Sequence, residues 1–259
     1  MIEGWLDLPT IGVFATLTLF YAATAAATLW IAFGRRFAAS TRRLDGVVAP
    51  FFTSVGLLFA LLTSFLASDV GDRNRQAARA VQTEATELRN VYALSVAAAS
   101  DMGAIRAAWS DYVRAVIADD WPAMERGEDA ASVNAAYDSL LHEVSDPKIT
   151  SEAGAAVHVA LLNTAIRIGT ARSERLAIAA DHTNEIKWAM VLLLGALTQV
   201  SIGLVHLRNC RANIAALAVF SVATVVALGL IGLQEHPFAG DVRVWPAPLQ
   251  DLLKLPASR

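Results

Sequence analysis

The clearest chemical signal in this sequence is a set of acids and bases: Glu84 and Glu87 in VQTEATELRNVY, and Arg172 and Arg175 in TARSERL. Arginines three residues apart share one face of a helix, where their guanidinium groups can meet carboxylates through charge-assisted hydrogen bonds. If the two helices carrying these motifs run side by side at about 1.5 Å per residue, Glu84 comes level with residue 170, within a turn of Arg172. A bridge from Glu84 to Arg172 or to Arg175 is therefore expected. The competing reading is a solvated face, whose pairs contribute about 0 to 1 kcal/mol each.

No bond-making chemistry accompanies this pairing. The sequence has no Gly-x-Ser-x-Gly, Walker loop, dinucleotide fingerprint or His-Glu-x-x-His. Its five histidines, His142, His158, His182, His206 and His236, are scattered, and the single Cys210 has no neighbours at zinc-ligand spacing. No catalytic residue, metal or cofactor is expected. A net charge of −3 without a basic, aromatic-laced patch argues against nucleic acid as a partner.

The elements that must position these charges follow from hydropathy. With 55% hydrophobic and 17% charged residues, the 259-residue chain has the composition of a membrane protein. Uncharged runs at Ile11 to Phe33, Val47 to Ser68, Trp188 to Val205 and Ile214 to Leu233 are each about as long as a helix crossing a 30 Å hydrocarbon core. In lipid each must be helical, because no other partner satisfies its backbone. Glu3 and Asp7 precede the first run, which is too long for a signal peptide and is expected to remain in the chain.

The spans pair into two hairpins joined by short basic loops, one with Arg35, Arg36, Arg42 and Arg43, the other with Arg208 and Arg211. Short basic loops favour the cytoplasmic side, which sets the termini and the central insert outside. Arg73, Arg75, Arg79, Arg172, Arg175 and Lys187, close to the other ends of the spans, act as a counterweight.

The expected fold is an all-α membrane protein with four divisions: a transmembrane hairpin over 1–68, a helical extramembrane domain over 69–185, a second hairpin over 186–233 and a tail over 234–259. In the insert, Val81, Ala85, Leu88, Tyr92, Ser95 and Ala99, then Met102, Ile105, Trp109, Tyr112 and Val116, recur at helical steps. Trp121-Pro122 and Asp146-Pro147 are expected breaks, with a short helix over 133–144 and a return helix from Ser151 to Ala180. Asp181 or Thr183 is the expected cap of the third span.

Within the membrane, Ala49, Thr53, Gly56, Ala60, Thr63 and Ala67 make a seam of small side chains along span two, with Phe51, Phe52 and Val55 beside it. Such a seam serves either close helix packing or the wall of a narrow pore. Gln199 of span three, between Gly195 and Gly203, is either an interhelical tie or a permeation contact. No span carries a formal charge, which argues against a proton-driven pump.

The order of these pieces resembles a known family: two spans around an Arg-rich loop, VQTEATELRNVY, DYVRAVIADDWPAM, RSERL, two more spans and HPFAGDVRV. It is similar to the bestrophin-like family of bacterial integral membrane proteins, over nearly the whole chain. The most specific elements are Glu84-Ala85, Tyr112 with Trp121, Arg172 with Arg175, and Pro237-Phe238 with Gly240. The resemblance implies an inner-membrane protein remotely related to bestrophins, pentameric anion channels lined largely by their second span.

Carried over, the resemblance makes Ala49, Thr53, Gly56, Ala60 and Thr63, or the neighbouring Phe51, Phe52 and Val55, the candidate pore residues. The implied partners are the lipid bilayer, further copies of the chain and ions. Two features depart from bestrophins: their insert is cytoplasmic, and no acidic cluster here resembles their calcium clasp. The alternative function is a non-conducting membrane sensor or scaffold whose insert binds a ligand or partner protein. In the tail, Pro237 and Gly240 stop the fourth span and Phe238 is apolar enough to enter a groove between helices, so residues 241–255 are expected to fold over the base of the insert.

Overall fold

The computed structural model describes residues 3–34, 49–98, 100–181 and 183–256. The basic loop with Arg35, Arg36, Arg42 and Arg43, the start of span two at Val47, the side chains of Ala49 and Phe51, and residues Ala99 and His182 lie outside the described set. The described chain is helical and contains no strand. Four of its helices are long and apolar enough to cross a membrane.

The helices are α1 (Thr10–Phe33), α2 (Ala49–Ala97), α3 (Gly103–Ala115), α4 (Trp121–Met124), α5 (Ala131–Val144), α6 (Lys148–Ala153), α7 (Ala155–Ala180), α8 (Glu185–Val205), α9 (Cys210–Gly232) and α10 (Ala247–Gln250). They fall into two compact units. One comprises residues 1–72, 182–235 and 240–242, and the other residues 73–181, 236–239 and 243–259. The 49-residue α2 continues from the end of span two through Glu84 without interruption.

In the first unit α1, α8 and α9 pack around Val13, Leu17, Tyr21, Trp188, Val191 and Leu228. From α2, Leu66 and Val70 join this core, and Phe59 and Leu62 rest against it. Close approach of α8 to α1 depends on glycine: a Cβ on Gly195 would fall 2.2 Å from the Tyr21 hydroxyl, and one on Gly203 would fall 2.2 Å from Thr28 Cγ2. The cap of α8 is Asn184, whose Oδ1 accepts from Ile186 N at 2.8 Å, rather than the expected Asp181 or Thr183. The Thr183 amide instead donates to Glu235 Oε1 at 2.8 Å. Asn209 caps α9 through Ala212 N, at 3.2 Å.

The core of the second unit comes from the stripes anticipated in the insert: Val81, Leu88, Ile105, Trp109, Tyr112 and Val116 are all buried. Trp109 Nε1 donates to Leu88 O at 2.8 Å, tying α3 to α2. Two expected boundaries move. Residues 151–153 belong to the separate short α6, because Gly154 takes φ +90° and only glycine adopts that conformation without strain. Trp121-Pro122 does not end the helical path. A five-residue π turn, Val116–Asp120, precedes it, and Trp121 N–H donates to Val116 O five residues back. Pro122 therefore sits in the first turn of α4, where a missing N–H costs least.

Candidate functional site

Within the second unit, Glu84, Arg172 and Arg175 converge on a buried network, whereas Glu87 pairs with Arg167 at 3.0 Å outside it. Of the two bridges open to Glu84, the structure forms the one with Arg175: Nε donates to Oε2 at 2.7 Å and Nη2 to Oε1 at 3.3 Å. Tyr112 donates its hydroxyl to Glu84 Oε1 at 2.7 Å. Glu84, Tyr112 and Arg175 are fully enclosed.

Arg172 turns to a carboxylate that the sequence reading did not single out, Asp120. It donates to Oδ2 through Nε at 2.8 Å and to Oδ1 through Nη2 at 3.0 Å. Its third nitrogen donates to Asn134 Oδ1 at 2.6 Å. Arg175 Nη2 reaches the same Asp120 Oδ2 at 3.0 Å, so Asp120 joins the two arginines. The Ala130 amide also donates to Asp120 Oδ1, at 3.2 Å.

The signal for Asp120 lay in the buried stripe that runs through Val116. A regular helix leaves the continuation ambiguous between Asp119 and Asp120, and the π turn resolves it by widening one turn. Asp120 is enclosed and Asp119 is exposed.

Two carboxylates and two guanidinium groups balance in charge, as burial requires. Burial alone would push the Asp120 carboxyl up. The hydrogen bond from Arg172 and the positive charges of Arg175 and Arg172 outweigh it and hold Asp120 below the usual carboxylate range. Burial, then the charge of Glu84, raises the Tyr112 hydroxyl well above its ordinary value. For both arginines burial opposes the charged form, but their carboxylate partners overcome it and push them above the ordinary guanidinium range. The strong donors and acceptors of the four groups are spent on one another. The arrangement is chemically a clamp that joins α2, α7 and the π turn.

The aromatic motif residues wrap this clamp. Arg175 lies over the Trp121 ring at 5.3 Å, and its Nη1 is 3.0 Å from Met124 Sδ. Phe238 meets Trp121 edge-on at 5.7 Å and 89° and is buried. The tail turns at Gly240, with φ +75°, and Val244 N donates to Pro237 O at 2.7 Å. Leu249 and Leu252 then enter the same core, and Tyr92 donates to Pro256 O at 2.6 Å. Val242, Trp245 and Leu253 stay exposed, although Arg243 covers the Trp245 ring at 4.3 Å and pairs with Glu125.

The pore candidates belong to the first unit. Thr53, Ala60 and Ala67 are exposed and Gly56 and Thr63 half-buried. At 100° per residue their seam lies about a quarter-turn from the Phe59, Leu62, Leu66 and Val70 stripe that packs on the core. Phe52 and Val55 fall in line with that packing stripe, not with the seam.

Gln199 is wholly enclosed among three helices. It donates to Tyr21 O at 3.2 Å and to Ser221 Oγ at 2.7 Å, and its Oε1 accepts from Thr24. Of the two readings of Gln199, these bonds fit the interhelical tie: its amide, carried on α8, is held by α1 and α9 within the single chain. A second buried acid, Glu235 just past α9, was not anticipated; besides Thr183 N it accepts from Trp188 Nε1 at 3.2 Å.

The model of the Bestrophin-like domain matches residues 19–249, which includes the seam, the clamp and the Phe238 turn. The chain belongs to the Bestrophin-like family. Solved structures share its fold. A bacterial bestrophin homologue from Klebsiella pneumoniae, solved by zinc phasing, matches with a TM-score of 0.64 at 10% identity, over 94% of this chain and 95% of that one. A point variant of the Klebsiella homologue gives 0.68 at 10% identity, over 95% and 97%. A third structure, described as a membrane protein variant, gives 0.69 at 11% identity, over 96% and 98%. No curated protein matches the chain. At such identities the likeness to the bestrophin homologue is one of fold, and the clamp rests on this chain's own geometry.

Proposed function

We propose that this Bestrophin-like chain assembles as a symmetric homo-oligomer that conducts ions, with the membrane part of α2 nearest the axis. Its four spans form two hairpins, and residues 69–185 make a helical domain beyond the bilayer on which the tail folds. The observation that carries the reading is the burial of α2. Of its most apolar 18-residue stretch 11% is buried within the chain, against 44% for α8, so α2 is the least enclosed of the four spans.

On α2 the seam leaves Thr53, Ala60 and Ala67 exposed, with Gly56 and Thr63 half-buried beside them. Small and hydroxylic side chains gain little from facing lipid, but they allow close approach of neighbouring copies and offer oxygen to water and ions. The seam is therefore preferred as the wall of the conduit over Phe52 and Val55, which align with the internal packing stripe.

Flux of halide, and separately of potassium, across liposomes containing the purified protein tests the proposal. Conduction that Gly56→Leu abolishes without loss of the oligomer is expected. Absence of flux of either ion under every pH, calcium level and voltage tried would overturn it.

A further inference from the structure

We propose that the groove between α1 and α9 binds one acyl chain of an anionic phospholipid, whose phosphate is taken by Arg211. The groove has a volume of about 570 Å³ and is lined from α1 by Thr18, Ala22, Ala26 and Leu29 and from α9 by Ala218 and Val222, among others. No charged residue lines it among the described residues. Ala22, Ala26, Ala218 and Val222 are exposed, so the groove opens on the outside of the single chain.

Its length selects the occupant. From Thr18 to Leu29 at 1.5 Å per residue is about 17 Å, close to the half-thickness of a 30 Å hydrocarbon core. Counted from the Phe33 end of α1 and the Cys210 end of α9, the groove runs from Leu29 and Ile214 to Thr18 and Val226, just past the middle of each helix. Further toward the start of α1 the space between the helices is filled: a Cβ on Gly229 would fall 2.3 Å from the Phe14 ring. A spanning helix of a second copy needs a seat through the whole bilayer, whereas one acyl chain needs a seat through one leaflet. The groove provides the latter.

The headgroup is specified by charge. Arg211 lies in the first turn of α9, three residues before Ile214 and seven before Ala218, so it heads the same helix face that lines the groove. It is exposed, and no carboxylate among the described residues pairs with it. A guanidinium at the polar end of a leaflet-deep apolar groove matches a lipid phosphate bearing net negative charge, since basic groups beside spans attract anionic headgroups. Such a lipid seat is independent of ion conduction.

The test uses the full chain in vesicles of phosphatidylcholine and phosphatidylglycerol in equal parts, extracted into mild detergent and weighed by native mass spectrometry. Preferential retention of phosphatidylglycerol is expected. Arg211→Gln should lower that preference about fivefold, the effect of one basic group at a membrane surface, while Arg211→Lys retains most of it. Ala22→Leu combined with Ala218→Leu should remove the retained lipid altogether, with helix content unchanged by circular dichroism. Retention unaffected by filling the groove, or a preference unaffected by Arg211→Gln, overturns the proposal. So does a groove-filled variant that keeps its lipid and loses its oligomeric mass, which would assign the groove to a second copy.

Discussion

Replacing Arg175 with methionine probes the buried clamp most directly. The guanidinium is wholly enclosed and engages Glu84 at 2.7 Å, Asp120 at 3.0 Å and Met124 Sδ at 3.0 Å, with the Trp121 ring at 5.3 Å. Methionine keeps much of the apolar volume but leaves Glu84 and Asp120 facing one another with only Arg172 to balance them. Breaking a buried ion pair by removing one partner costs about 3–5 kcal/mol, because the remaining charge stays out of water. For a chain of this size that lowers Tm by about 6–20 °C. The charge imbalance makes a sharper claim than the magnitude. Glu84→Gln combined with Arg175→Met restores neutrality, leaving Asp120 with Arg172, so the double variant should recover about 0.5–3 kcal/mol relative to the sum of the singles. Thermal unfolding of the full chain in detergent, followed by circular dichroism, reads both. If Arg175→Met lowers Tm by less than about 2 °C, or if the singles add without coupling, the clamp does not hold the second unit together.

Three further outcomes follow from the same geometry. Asp120 is held below the usual carboxylate range by Arg172 and Arg175, so its contribution to stability is complete above about pH 4 and is lost as pH falls through its lowered folded value. Asp120→Asn should flatten the acid limb of a Tm-against-pH curve, and an unchanged limb would assign acid lability elsewhere. Gly195→Ala drives a methyl group to 2.2 Å from the Tyr21 hydroxyl and should cost about 1–3 kcal/mol. Tyr21→Phe removes that oxygen, which has no partner among the described residues, and should recover much of the loss in a thermal melt. Gln199→Leu cuts the ties to Tyr21 O, Ser221 and Thr24, and its destabilisation should be about 0.6–2 kcal/mol by unfolding in mixed micelles.

The extent to which this molecule could be read from its sequence differs between its two units. Spans and insert stripes were legible because each rests on a local rule: uncharged length for a helix in lipid, and apolar recurrence for a helix against a core. Glu84 and Arg175 were legible for a similar reason, since counting residues along α2 after span two and along α7 before span three brings them near one level. The helix caps were less so. Asn184 displaces Asp181 and Thr183 because the start of α8 is also set by Glu235, 52 residues away from Thr183, which claims its backbone amide. Nothing near residue 183 announces that partner.

Asp120 shows a deeper limit. Its place in the clamp depends on a single widened turn, and a π turn leaves no repeat in the sequence. The Trp121-Pro122 pair, read as the end of a helix, is instead accommodated just after that turn. The proline and the buried acid are thus two consequences of one backbone irregularity. In a regular helix the stripe through Val116 would leave Asp119 and Asp120 equally placed, and only one can be enclosed between two arginines. The extra residue in the turn selects Asp120 and leaves Asp119 to accept a hydrogen bond from Ser132 at 2.6 Å on the exposed side. Arg172 therefore has a partner of its own, and Glu84 is left to Arg175.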